Sequence, residues 1–96
     1  MYGLVSPKHH IYNEPKDIGY TITKHAVVGV TKHMATYFAE MNIRINCVVP
    51  GGIKSNQPPQ FLKNYIKNTP MKRMMKKDEL YPLLEFVSSD SASYIT

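Results

Sequence analysis

The pattern of apolar positions first predicts a long helix in the chain. From residue 18, apolar side chains recur at steps of three and four residues, as on the face of an amphipathic helix. They are Ile22, Ala26, Val30, Met34, Tyr37 and Phe38. The pattern predicts a helix over residues 18–41, with Asn42 as its stop. Val27, Val28 and Ala35 widen the apolar face, which indicates a helix that packs on two sides.

The period changes after this helix. Residues 43–49 alternate between apolar and polar side chains, with Arg44 and Asn46 at the polar positions, which predicts a short strand. The sequence Pro50-Gly51-Gly52 ends it. A helix joined to a strand by one or two residues is typical of a layered α/β fold.

The remaining segments are predicted from prolines, glycines and charge. Residues 1–17 read as a loop because Gly3, Pro7 and Pro15 interrupt them. Pro58 and Pro59 predict the start of a short helix over residues 60–67. Residues 78–88 form the last predicted helix, with acidic side chains in its first turn. A single strand cannot form a sheet, so the sequence predicts a piece of a larger domain.

Composition restricts the class of protein. The 96 residues allow one domain, and 43% apolar with 20% charged residues is typical of a globular chain. No apolar run reaches the roughly 18 residues of a membrane span. The single cysteine, Cys47, excludes an internal disulfide and fits the reducing cytoplasm, where we expect the protein. We expect no membrane partner.

The net charge of +5 is unevenly distributed. Six of the twelve basic residues lie in the stretch 63–77, and no acidic residue lies between Glu40 and Asp78. Such a stretch is open to nucleic acid or an anionic membrane surface, but we favour a surface loop near an anionic cofactor or substrate. Tyr65 is the only aromatic residue within it, and no recognition motif accompanies it, so we expect no nucleic acid partner.

The histidines do not predict a metal site. His9 and His10 are adjacent, and adjacent side chains rarely chelate one ion. His25 and His33 are eight residues apart on the predicted helix, too far for shared ligation. No Cys/His spacing matches a zinc site, so no metal is expected.

Candidate chemistry lies at the start of the long helix. Tyr20 and Lys24 are four residues apart, which places both side chains on one helix face. An ammonium beside a phenol favours the phenolate, so the phenol can act as a general acid or base. Taken alone, this pair is more often two surface neighbours than a catalytic pair.

The surrounding residues resemble the short-chain dehydrogenase/reductase family over nearly the whole chain. Four segments in the family's order carry the resemblance: Tyr20-Thr-Ile-Thr-Lys24, Asn42-Ile-Arg-Ile-Asn-Cys-Val-Val-Pro-Gly51, Thr69-Pro-Met-Lys-Arg-Met74 and Ser88-Ser-Asp-Ser-Ala-Ser-Tyr-Ile-Thr96. The resemblance implies the C-terminal part of a doubly wound α/β Rossmann-type domain. It also implies that the N-terminal nucleotide-binding half and the last strand lie outside these residues.

The resemblance divides this partial domain, residues 1–96, into roles. Residues 1–17 are expected to form an active-site loop, 18–41 the catalytic helix and 43–49 a strand. Residues 50–77 would form the cofactor and substrate region with its short helix, and 78–88 the C-terminal helix. The family's catalytic serine and asparagine align before Met1, with Ser6 as a poorly registered substitute for the serine.

The resemblance also implies a cofactor site for NAD or NADP. Tyr20 would exchange a proton with the substrate, and Lys24 would hold the nicotinamide ribose. The turn that contains Pro50, Gly51, Ile53 and Ser55 would surround the nicotinamide, with the backbone of Pro50 and Ile53 contacting its amide. The implied reaction interconverts an alcohol and a carbonyl on a small molecule.

Finer expectations follow from the same resemblance. Tyr2-Gly3, the loop of residues 7–18 and Pro50-Gly-Gly-Ile53 look most like bacterial members of sugar or sugar-acid metabolism, so a sugar-like substrate is favoured. The intact protein is expected to be a homo-oligomer, a dimer or tetramer. Two alternatives are a non-catalytic fragment that pairs with an intact homologue and a small basic module that binds nucleic acid.

Overall fold

Helices dominate the regular structure of the chain. The computed structural model describes all 96 residues and contains three α-helices: α1 (Ile18–Phe38), α2 (Pro59–Lys67) and α3 (Tyr81–Ser88). Short 3-10 turns lie at His9–Ile11, Ala39–Met41, Asp78–Leu80 and Asp90–Ala92. The molecule measures 47 × 28 × 21 Å and buries only six of its 96 residues. None of the helices combines the length and apolarity that a bilayer crossing requires.

Local capping fixes both ends of α1. The Asp17 carboxylate accepts a hydrogen bond from the Tyr20 backbone N–H at 3.1 Å, so Asp17 is the N-cap. At the other end, the helix tightens into the 3-10 turn Ala39–Met41. Asn42 follows in the left-handed conformation at φ 58°, which asparagine tolerates better than most residues. The helical stretch therefore ends at the predicted stop.

Only one of the two apolar faces of α1 is covered. The half-buried residues of α1 lie on a single face that packs on the rest of the chain: Thr21, Val28, Thr31, Ala35 and Phe38. The opposite face exposes an apolar stripe of Ile22, Ala26, Val30, Met34 and Tyr37. Val30 is 54% exposed and Tyr37 63% exposed, although both are large hydrophobic side chains. We call this surface the outer stripe.

The predicted strand at residues 43–49 is not a strand in the structure. These residues have no regular secondary structure, and the only β-bridge joins Ile53 to Met75 in parallel. The Ile45 backbone N–H donates instead to the Thr96 hydroxyl at 3.0 Å. A strand is defined by hydrogen bonds to a neighbouring strand, and the 96 residues contain no such neighbour for residues 43–49. The alternating pattern alone therefore predicted a strand that is not formed here.

Arg44 anchors this extended segment to the end of α3. Its guanidinium donates to the carbonyls of Val87 at 2.9 Å, Ser89 at 3.0 Å and Ile95 at 3.3 Å. Carbonyls at the C-terminal end of a helix lack hydrogen-bond partners within the helix, and the guanidinium supplies them. Its positive charge also interacts favourably with the negative end of the helix dipole.

The two shorter helices differ slightly from their predicted bounds. Helix α2 starts at Pro59, one residue before the predicted start. In the predicted helix 78–88, residues Asp78–Leu80 form a 3-10 turn, and α3 begins at Tyr81.

The Glu79 carboxylate accepts two hydrogen bonds of 2.6 Å from the Arg73 guanidinium. Those bonds, followed by the Lys76 N–H, lower the pKa of Glu79 to about 2.

A small apolar cluster joins the N-terminal segment, α2 and the turn after residue 50. Ile11, Tyr65 and Met74 are buried together, and Tyr12, Phe61 and Leu62 pack against them. Gly52 touches this cluster, because its backbone N–H donates to the Tyr65 hydroxyl at 2.7 Å. A Cβ atom added at Gly52 would lie 2.7 Å from Met74 Cε and 2.8 Å from Tyr65 Cζ. The packing therefore requires glycine at this position.

We expect Gly52→Ala to destabilise the complete domain, by which we mean these 96 residues joined to a nucleotide-binding half. The tyrosine ring cannot move away without losing its bond to the turn, so overpacking should cost about 1–3 kcal/mol. Gly51→Ala is the matched control, because a Cβ there meets only the Tyr65 hydroxyl, at 3.4 Å. Urea unfolding of both variants measures the difference, and equal midpoints would contradict the packing requirement.

Candidate active site

A cleft of about 760 Å³ collects most of the predicted site residues. It lies between the N-terminal segment, the start of α1, the turn after residue 49 and α2. Tyr20, Pro50, Gly51 and Ile53 all line it. Lys24 and Ser55 do not belong to its lining. The structure therefore brings four of the six predicted residues to one cavity.

Tyr20 lines the cleft from the first turn of α1. The Asp17 cap fixes the backbone here, because its carboxylate holds the Tyr20 N–H. The Tyr20 ring meets the Tyr2 ring edge-on, with centroids 6.4 Å apart and planes at 80°. Its side chain stays 40% exposed, so the phenol can reach a ligand in the cleft.

Two lysines lie beside the Tyr20 ring. Lys16 Nζ is 4.2 Å from the ring centroid, and Lys24 Nζ is 5.5 Å from it. Lys24 lies one turn further along α1, as the spacing predicts, and is exposed outside the cleft lining. Lys16 precedes the helix and lies inside the cleft lining. Both ammonium groups thus lie over the ring, at distances typical of a cation–π contact.

Gly3 allows the N-terminal segment to cross α1 next to the predicted catalytic pair. A Cβ atom at this position would lie 2.5 Å from the Lys24 carbonyl oxygen and 3.1 Å from Val28 Cγ2. The close approach places Tyr2 against Tyr20. Gly3 therefore helps to position Tyr2, whose ring contacts the Tyr20 ring.

The turn after residue 52 is held by a side-chain amide. Gln57 Nε2 donates to the Ile53 carbonyl at 2.8 Å, and Gln57 Oε1 accepts from the Ser55 backbone N–H at 2.7 Å. Gln57 thus engages two of the positions that the resemblance assigns to the cofactor. The Ser55 side chain is exposed.

Aromatic side chains form one wall of the cleft. Tyr12 donates its hydroxyl hydrogen to the Tyr2 hydroxyl at 2.8 Å, and its ring centroid lies 5.1 Å from that of Phe61. Phe61 in turn lies 5.8 Å from Tyr65. Burial, followed by the bond to Tyr2, raises the pKa of Tyr12 above its ordinary value, so this hydroxyl stays protonated. We call Tyr2, Tyr12, Phe61 and Tyr65 the aromatic wall.

Sequence reasoning missed several members of this site. Phe61 and Tyr65 are four residues apart on α2, a spacing that places two aromatic rings on one helix face and could have indicated the wall. Lys16 and Tyr12 lie in a loop without periodicity, so nothing in the pattern placed them near Tyr20.

The histidines and the cysteine do not form a group that could hold a metal ion. No set of three or more His, Cys, Asp or Glu side chains converges on one point. His9 Nδ1 accepts the Lys16 backbone N–H at 3.1 Å, and His25 Nδ1 lies 2.9 Å from the Thr21 carbonyl. Cys47 is a half-buried free thiol. Local hydrogen bonds thus account for two of the four histidines.

Comparison with known proteins identifies the family. Residues 5–96 match the family model described as enoyl-(acyl carrier protein) reductase. Oxidoreductase UcpA of Escherichia coli is 32% identical over 86% of this chain and 36% of its own length. The 3-oxoacyl-[acyl-carrier-protein] reductase FabG of Thermotoga maritima is 33% identical over 90% of this chain and 37% of its own length.

Two solved structures resemble the chain over 99% of its residues. A short chain dehydrogenase from Leptospira borgpetersenii with bound NAD+ has a TM-score of 0.90 at 39% identity, and 37% of that chain is covered. A 4-hydroxyisoleucine dehydrogenase complexed with NADH has a TM-score of 0.80 at 29% identity, and 37% of it is covered.

These matches define a dehydrogenase-type α/β domain, and the predicted resemblance is confirmed. The chain belongs to the short-chain dehydrogenase/reductase family. It forms part of a Rossmann-type domain and spans about a third of the curated relatives that it matches, 36% of the first. The helical structure without strands agrees with a partial domain.

Proposed function

We propose that these residues form the catalytic portion of an NAD- or NADP-dependent enzyme that interconverts an alcohol and a carbonyl. One observation carries the proposal: Tyr20, with Lys24 one turn further on, opens to the same cleft as Pro50, Gly51 and Ile53. Family membership supports it, since the two structural neighbours contain NAD+ and NADH. A reducing cytoplasm remains the expected location, in keeping with the free thiol of Cys47.

The cleft has room for a nicotinamide beside Tyr20. A Cβ atom at Gly51 would meet only the Tyr65 hydroxyl, so the space in front of this turn is open. The backbone of Pro50 and Ile53 borders that space. When bound there, the nicotinamide would supply or accept the hydride of the reaction. Lys24 would hold the ribose hydroxyls, and Ser55 would contact the amide end after Gln57 releases its backbone N–H.

Tyr20 handles the proton in this scheme. During reduction, its hydroxyl donates a proton to the substrate oxygen as the carbonyl becomes an alcohol, and during oxidation it takes that proton back. The ammonium of Lys24, 5.5 Å from the ring centroid, would stabilise the phenolate that reduction leaves. The Asp17 cap holds the Tyr20 backbone N–H and so fixes the first turn of α1 that carries the phenol.

We further propose a polyhydroxylated, sugar-like substrate. The aromatic wall offers apolar ring faces for the C–H side of a polyol, and the Tyr2 and Tyr12 hydroxyls offer hydrogen bonds at one edge. Polar groups at fixed points in a mostly apolar cleft are typical of small-molecule sites. A small molecule of this kind is the expected partner, without nucleic acid or membrane.

Replacement of Tyr20 should separate proton transfer from cofactor binding. In the complete domain, we expect Tyr20→Phe to lower kcat by about 10²–10⁴-fold with little change in cofactor affinity, because only the hydroxyl is lost. Lys24→Ala should weaken both, because the ammonium is expected to hold the ribose. Steady-state kinetics with a cofactor titration measure both effects. More than a tenth of the wild-type activity in Tyr20→Phe would rule out the acid/base role.

The 96 residues alone should not bind a nicotinamide cofactor measurably. The cofactor pyrophosphate is held by a glycine-rich turn at a helix N-terminus, and none of α1, α2 and α3 follows such a turn here. Isothermal titration of the purified chain with NADH and NADPH, alongside circular dichroism, measures binding and folding together. Micromolar binding by a folded monomer would contradict the assignment as part of a larger site.

We also propose that the complete domain forms a homo-oligomer through the outer stripe. Its large apolar side chains face solvent, and closed symmetric assemblies commonly bury such a face. We expect Val30→Glu to dissociate the oligomer in sedimentation experiments. Lys32→Glu, on the same helix but off the stripe, is the matched control and should leave the mass unchanged. An unchanged mass for Val30→Glu at micromolar concentration would exclude this interface.

A further inference from the structure

We propose that Lys16 makes this site selective for a substrate that carries a carboxylate or phosphate group near its reacting carbon. The inference rests on the proposed function, and it adds a charge requirement to the substrate. Lys16 is not part of the predicted Tyr20–Lys24 pair, and it precedes Tyr20 in the sequence.

The position of the Lys16 ammonium supports this assignment. The side chain is half-buried and lines the cleft. Nζ lies 4.2 Å from the Tyr20 ring centroid and 5.4 Å from the Tyr12 ring centroid, so it sits between the predicted acid/base and the aromatic wall. Because Lys16 and Tyr20 line the same cleft, a charged group near the reacting carbon of a substrate at the Tyr20 hydroxyl could pair with this ammonium.

The Lys16 ammonium also makes no salt bridge within the protein. The only salt bridge in the chain joins Arg73 to Glu79. Glu14 and Asp17 line the same cleft, but neither carboxylate lies within salt-bridge distance of Lys16. Asp17 is committed as the helix cap through the Tyr20 N–H. Three N–H donors of the ammonium are therefore available to a ligand.

The surroundings hold Lys16 in place before any ligand arrives. Its backbone N–H donates to His9 Nδ1 at 3.1 Å, which fixes the chain just before α1. The two aromatic rings attract the ammonium through their electron-rich faces. A cation that is already ordered loses less conformational freedom when it pairs with an anion. These features favour recognition of a charged substrate over a chance surface position.

Lys16 could instead act only on Tyr20, by stabilising the phenolate. The two roles differ in their dependence on substrate charge. A residue that acts on Tyr20 affects charged and neutral substrates equally, whereas a residue that pairs with the substrate affects only the charged ones. The test therefore compares ligands that differ in charge and share a polyol chain of equal length.

Binding to the complete domain is measured by isothermal titration with gluconate, sorbitol 6-phosphate and uncharged sorbitol. We expect the wild type to bind at least one of the anions roughly 10- to 100-fold more tightly than sorbitol, as a charge-assisted hydrogen bond allows. Lys16→Gln should remove that preference, and Lys16→Arg should keep most of it. Lys32→Gln, which removes an exposed lysine of α1, is the matched control and should change nothing. The anion that loses more affinity identifies carboxylate or phosphate as the recognised group.

Two results would overturn the inference. One is a wild type that binds both anions no better than sorbitol, and the other is an anion preference that survives Lys16→Gln. Turnover of the same compounds with NAD and NADP is measured in parallel. An anion preference that depends on Lys16, without turnover of any alcohol, would reject the proposed redox function and keep the Lys16 site. Turnover without anion preference would keep the function and reject the site.

Discussion

Contact between Gly52 and the Tyr65 ring holds the site together. The turn that carries the predicted cofactor contacts rests on α2 at this point, through the bond from the Gly52 N–H to the Tyr65 hydroxyl. Tyr65 belongs to the buried cluster with Ile11 and Met74, so the same contact ties the turn to the N-terminal segment. That segment in turn places Tyr2 against Tyr20. The predicted acid/base and the predicted nicotinamide turn thus share one small core.

Local signals in the sequence were sufficient for the helices, whereas the catalytic pair was predicted from the family resemblance. The periodicity of residues 18–41 and the left-handed preference of Asn42 act within a few residues of each other, so α1 could be predicted closely. The strand predicted for residues 43–49 is absent from the structure. A strand depends on hydrogen bonds to a neighbouring strand, and the local sequence does not report whether one is present. Lys16 lies over both the Tyr12 and the Tyr20 rings from a segment outside any helix, where no periodicity predicts contacts.

The two lysines beside Tyr20 differ in their position relative to the cleft. Lys24 lies outside the cleft lining and Lys16 inside it, although both approach the same ring. The segment Tyr20–Lys24, which carries part of the family resemblance, includes only the first. Lys16 lies in the loop of residues 1–17, and loops accept insertions and exchanges that leave the scaffold intact.

Arg44 connects segments that are distant from one another in the sequence. Its guanidinium contacts carbonyls from the end of α3 and from the terminal residues at once, through Val87, Ser89 and Ile95. Asn46 adds a second bond to the Ile95 carbonyl, at 2.8 Å. These bonds join residues 44–46, the last turn of α3 and Ile95 into one hydrogen-bond network. A change in any one of the three segments therefore removes partners from the other two, so we expect their local stabilities to be coupled.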